Sequence, residues 1–462
     1  MNLSKAVIYS NLDAVRQQLK KQKKINYLDE YGYTPLIETA IVDDVAKGQL
    51  LLDAKADPNQ KDITGRTPLH WTVSNNNYKF TQLLLECGAD TNAFHLAGEP
   101  VLAKPLLRQQ NDLKKLLMQH GAHTAFAYDY IYAKLIGHRF ELVGSVDIVD
   151  PDGVFIEVDY EGFYLEFCLD LIADSLHAFQ HNFAARILAP WFGSIEMIAN
   201  AFIAYRRLTH YDHYLIDANK HRQEIIKIFS HHPLLLPINQ EGHAVVLVKY
   251  QNLFAICDRS QEMCFDNELP IYYVNTPSGM TTDLLLDIVY KKQQIPDIYA
   301  KLHHALKLRV IDKMPMMAQA IGNCSWANVE AAIPVLHWMQ QASDADNQLD
   351  KDAITSDSLE LFQRWKDWDK QRALQLAMQS FYSADPRRKA SIAALLAGVL
   401  FQRFSADNPN QLEQAAKIIR ILKTDGYEYI LESYMQYYVY NKPTKAGKNL
   451  IRLLNAYSNF DI

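Results

Sequence analysis

The chain shows no large surplus of either charge: 47 Lys and Arg stand against 53 Asp and Glu, for a net charge of −6. That balance leaves no electrostatic footprint for nucleic acid. Cysteine is scarce, with five residues at 87, 168, 257, 264 and 324 of a 462-residue chain. An odd, scattered set is not a disulfide scaffold, so reduced thiols are expected. Cys257/Cys264, His210/His213, His231/His232 and His303/His304 lack the paired spacing of a zinc knuckle, and no metal is expected. A phosphate-cradling glycine loop is also missing, and no cofactor is expected. The longest apolar runs, such as Ala393 to Phe401, fall short of the roughly 20 residues that span a bilayer, and Met-Asn-Leu-Ser-Lys carries no export pattern. What is there is ordinary: 49% hydrophobic and 22% charged residues, as in a globular protein of about two to four domains.

The first part of the chain repeats. Gly32-Tyr-Thr-Pro-Leu36 recurs 33 positions on as Gly65-Arg-Thr-Pro-Leu69, and a degraded copy begins at Gly98. Leu50 to Asn59 likewise matches Leu83 to Asn92, and Leu116 to Ala122 follows. This pattern resembles the ankyrin repeat, whose Thr-Pro-Leu-His signature stands at Thr67 to His70. Thr-Pro opens a first helix, the leucines of a second helix bury it on the neighbouring unit, and Gly-Ala-Asp turns the chain onward. Residues 3 to 27 look like a capping unit, which gives about four repeats over 1–127. The resemblance implies binding to another protein. Tyr31 and Tyr33 on an inter-repeat loop, Arg66, and Trp71 after the signature are the candidate contact residues; Trp71 could equally pack on the adjacent repeat.

From Tyr128 the period is lost. Alternating residues on either side of Asp150-Pro-Asp-Gly153 read as a β-hairpin. Residues 169 to 208 read as helical, interrupted near Pro190. Two further strands run to Tyr250 and from Leu253 to Asp258, short strands are expected near 269–275 and 308–312, and helical spacing resumes after Cys324 with a kink or early stop at Pro334. Residues 342–358, rich in Asp, Ser and Ala, read as a linker, and 359–462 as an all-helical region. The expected architecture is therefore multidomain, α and α+β, with an ankyrin solenoid (1–127), a central α+β domain (128–341) and a helical C-terminal region.

Gln319-Ala-Ile-Gly-Asn-Cys-Ser-Trp326 puts a thiol at the start of a helix, where free N–H groups favour thiolate. If Gln251-Asn252 is a two-residue turn, Tyr250 pairs with Leu253 and Asp258 faces Val245. His243 then lies diagonal to Asp258 on the same face. An odd-length loop would turn Asp258 away.

The order His243, Asp258, Gln319, Cys324 resembles the adenain-like clan of cysteine peptidases, which includes the YopJ-type effectors that transfer acetyl groups. The resemblance implies Cys324 as nucleophile, His243 as base and acid, Asp258 as its orienter, and Gln319 as oxyanion donor, with Asn323 as the alternative donor. Two departures stand out: Ala244 follows the histidine where the clan often has Trp, and Gln319 precedes Cys324 by five positions, fewer than usual. Ankyrin repeats joined to such a region and a helical tail also resemble type IV secreted effectors of Legionella. That implies export from the bacterium into the host cytosol or nucleus and capture of a host protein, with a ubiquitin-like modifier on it as a possible substrate. Amide or isopeptide hydrolysis, a non-catalytic scaffold, and acyl transfer are the functions left open.

Overall fold

The computed structural model describes residues 2–21, 24–240, 242–320, 322–344, 350–441 and 444–457. They form two compact units, each built from separated segments: 1–135, 144–160 and 377–462 make the first, and 136–143 with 161–376 the second.

The first unit opens with four helix pairs, Leu3–Tyr9 with Leu12–Lys21, Pro35–Ile41 with Val45–Asp53, Pro68–Ser74 with Tyr78–Glu86, and Ala103–Leu107 with Asn111–Gln119. Thr34 caps its helix by accepting the Ile37 amide at 3.1 Å, and Pro35 sits at the first helical position, where no N–H is needed. Leu36, Leu51, Leu69, Leu84 and Leu117 run through one continuous core. Asparagines stitch the repeats together: the Oδ1 atoms of Asn26, Asn59 and Asn92 accept the amides of Asp57 (2.9 Å), Asp90 (2.7 Å) and His123 (2.8 Å) in the next turn. Gly32, at φ 82°, lies in the left-handed region that favours glycine, and a Cβ there would meet the Ile63 side chain at 2.5 Å and force it to shift.

Two strands, β1 (Ser145–Val149) and β2 (Phe155–Asp159), form the hairpin expected around Asp150 to Gly153. It belongs to this first unit and not with the rest of 128–341, because its contacts lie there: Gly98 backs onto Val158, and the Val149 amide donates to Ser391 Oγ at 2.9 Å. The helices Pro386–Arg403, Pro409–Leu422, Glu428–Met435 and Lys445–Tyr457 complete the unit.

The second unit is an antiparallel sheet in the order β3 (Leu234–Gln240), β4 (His243–Tyr250), β5 (Leu253–Cys257), β6 (Glu268–Tyr273) and β7 (Arg309–Pro315). The helix Cys324–Asp344 packs on β4 and β5. Every residue from Ser325 to Met339 is buried in it, Pro334 included. Such packing outweighs the lost hydrogen bond at Pro334, so the helix continues past the proline and does not end early. One stretch, Phe183–His210, is apolar and long enough to cross a membrane by length and composition. Its second half, Phe192–His210, packs on β3 and on the helix Leu165–Gln180, as a core helix does.

The expected linker is different in fact. Residues 345–349 lie outside the described set, but 342–344 and 351–358 are helical, and the helix Lys351–Ser383 docks on the cysteine helix. Ser358 Oγ meets His337 Nδ1 at 2.8 Å and Thr355 Oγ1 accepts the Trp338 indole N–H at 3.0 Å. An Asp- and Ser-rich composition hid these two buried polar contacts. The helical tail is also divided, 359–376 falling in the second unit and 377–457 in the first.

Candidate active site

Cys324 is the first residue of its helix, with its sulfur facing the start of β4: the Ala244 amide donates to Sγ at 3.4 Å. A two-residue turn at Gln251-Asn252 pairs Tyr250 with Leu253 and carries the register to Val246 and Cys257, as anticipated. His243 and Asp258 sit just past that last pair, and His243 Nε2 lies 3.0 Å from Asp258 Oδ1. With Nε2 engaged by the carboxylate, Nδ1 is the ring nitrogen left to serve the thiol.

The electrostatics follow from these contacts. Hydrogen bonds with Asp258 and then with Cys324 raise the His243 imidazole to about 10, against the opposing effect of burial. Burial pushes the Cys324 thiol up, but His243 and the Ala244 amide more than offset it, and the thiol ends below its ordinary value. Burial also pushes the Asp258 carboxyl up, and it is overcome by His243, by the Tyr299 hydroxyl at 2.7 Å from Oδ2 and by the Ser260 amide at 3.0 Å from Oδ1. The result favours a thiolate beside an imidazolium, which is the resting form of an activated cysteine.

Gln319 lies beside the same strand end, its amide donating to the Arg259 carbonyl at 2.8 Å. Its buried Oε1 has no hydrogen-bond partner among the described residues. Asn323 is less available than its position suggests, because its side-chain amide donates to the His138 carbonyl at 3.3 Å. The proposed contact residues of the repeats form a cluster of their own. Tyr33 meets Trp71 edge-on at 5.8 Å, the Arg66 guanidinium lies 5.4 Å over the indole, and the indole N–H donates to Asp62 at 3.1 Å. Trp71 is thus half-buried within the stack, while Tyr31 stands 63% exposed.

Three comparisons bear on this arrangement. Ankyrin repeats, in three copies, match residues 3–95. No curated protein matches the chain. The solved structure of the Legionella effector AnkH is 40% identical, with a TM-score of 0.82, over 100% of this chain and 98% of that one. The chain belongs to the AnkH family. The match covers both units and not the repeats alone.

Sequence reasoning missed three residues that hold this site in the AnkH-like chain. Tyr299, on the helix Ile295–Leu306, is one of 26 tyrosines and nothing in its neighbourhood marks it. Arg259 is 3% exposed, with Nη1 2.8 Å from Glu330 and Nε donating to the Met317 carbonyl at 2.8 Å. Asn328 carried a readable signal, a polar side chain one turn after Cys324 on a mostly apolar stretch of helix.

Proposed function

We propose that this chain is a bacterial effector that acts inside a host cell, holding a host protein with its ankyrin stack and cleaving an amide or isopeptide bond with Cys324. The observation that carries the catalytic half is the His243–Asp258 bond of 3.0 Å beside a thiol at a helix N-terminus. The effector role rests on the 40% identity to AnkH over the whole chain.

In this mechanism the thiolate adds to the substrate carbonyl carbon, and the oxyanion is met by the Cys324 main-chain N–H, with Gln319 the second donor by position. The imidazolium then gives its proton to the departing amine, the C–N bond breaks, and a thioester remains. Water, losing a proton to His243, attacks that thioester; acid and thiol are released. Asp258 keeps the imidazole oriented, and Tyr299 in turn holds Asp258.

A ubiquitin-type probe with a C-terminal electrophile tests the reading. Covalent capture at Cys324, lost in Cys324→Ala, supports hydrolysis. Failure to label, with acetyl-CoA binding by calorimetry, would move the site to acyl transfer. Failure of both, with host-protein binding intact in Cys324→Ala, would leave a scaffold.

A further inference from the structure

The ladder between β4 and β5 ends at Val246 and Cys257, so His243, though paired with Gln240 of β3, and Asp258 lie beyond the last pair between their own two strands. Pairing with β3 holds the start of β4, but no β4–β5 ladder holds the imidazole against the carboxylate. Something else must tie these ends to the helix that carries the thiol.

Asn328 is placed to do so. It is fully buried, four residues after Cys324 and hence on the same helix face. Its Nδ2 donates to the Ala244 carbonyl at 2.6 Å and its Oδ1 accepts the Arg259 amide at 2.7 Å. Ala244 follows His243 and Arg259 follows Asp258, so one side chain grips the residue after each. Ala244 is held at both polar groups from the same helix, its amide by Cys324 Sγ and its carbonyl by Asn328. Only a carboxamide offers a donor and an acceptor in one rigid plane at this reach; a carboxylate would lack the donor and a hydroxyl the span. The Arg259 bond to Glu330, two residues further along, ties the same strand end to the same helix.

We infer that Asn328 is a positioning residue, which sets the imidazole and the carboxylate against the Cys324 thiol without touching the substrate. This rests on the reading of Cys324 as an activated nucleophile. It is tested on the full chain by following iodoacetamide alkylation of Cys324 against pH, by peptide mass spectrometry, in the wild type, His243→Ala, Asn328→Ala and Asn328→Asp. The expected result is a loss of about tenfold in rate near pH 6.5 in both Asn328 variants, approaching His243→Ala, with a much smaller change near pH 10, above the value of an ordinary thiol. General damage would not give a loss confined to low pH. Should Asn328→Ala fail to fold, the near-isosteric Asn328→Asp decides. An activated wild type with folded Asn328 variants of unchanged profile overturns the positioning role alone. A wild-type profile matching that of Cys87 overturns the nucleophile reading and this inference with it.

Discussion

The ankyrin stack and the thiol site use polar side chains in opposite ways. In the stack an asparagine of each turn, such as Asn59, accepts a main-chain amide of the next turn some 30 residues away, and the same contact recurs from Asn26 to Asn92. In the site, Asp258, Tyr299, Gln319 and the helix that carries both Cys324 and Asn328 come from separate parts of the chain, and each contact occurs once. Damage to the first should stay local, and damage to the second should spread. A repeat array has nearest-neighbour stability, whereas a site held by single contacts has no substitute for any of them.

The sharpest break is Cys324→Ala, for which complete loss of labelling by a ubiquitin-type electrophile is expected, with the urea midpoint little moved. Next comes Arg259→Met. It leaves Glu330, 1% exposed, with Lys366 as its remaining cation, and a loss of about 3 kcal/mol in urea unfolding is expected, together with slower Cys324 alkylation. Asn59→Ala removes one rung of the ladder; a cost of about 1 kcal/mol is expected, with faster amide hydrogen exchange confined to the neighbouring repeats and unchanged alkylation of Cys324. If Asn59→Ala slowed Cys324, the contrast between the two regions would fail.

The smallest effect is one of pH on stability. His243 is raised to about 10 in the fold, so its pairing stabilises fully below the free value near 6.5 and fades as pH rises toward 10. The stability gap between wild type and His243→Ala should therefore be widest at low pH. A gap that widened with rising pH would contradict the pairing.

The same contrast explains what could be read from residues alone. Thr67 to His70 and the 33-residue spacing carry their own structural context, so the solenoid was legible. The hairpin register was legible too, because a two-residue turn determines which residues share a face. Arg259 and Tyr299 were not, since a buried polar contact across 41 to 71 residues leaves no local pattern, and the position of Asn328 one turn after Cys324 was legible but its partners were not. The helix at Lys351 was hidden for a related reason: Ser358 is fully buried yet reads as a loop residue. The interleaving of the two units, with β1 and β2 joined to the repeats, follows from packing contacts that no periodicity expresses.

The most direct measurement is the alkylation rate of Cys324 relative to the exposed Cys87 in the same molecule near pH 6.5, about two units below an ordinary thiol. An activated thiolate predicts that Cys324, though less exposed, reacts several-fold faster, and that His243→Ala removes the advantage. A Cys324 that reacts no faster than Cys87, with or without His243, would contradict the account.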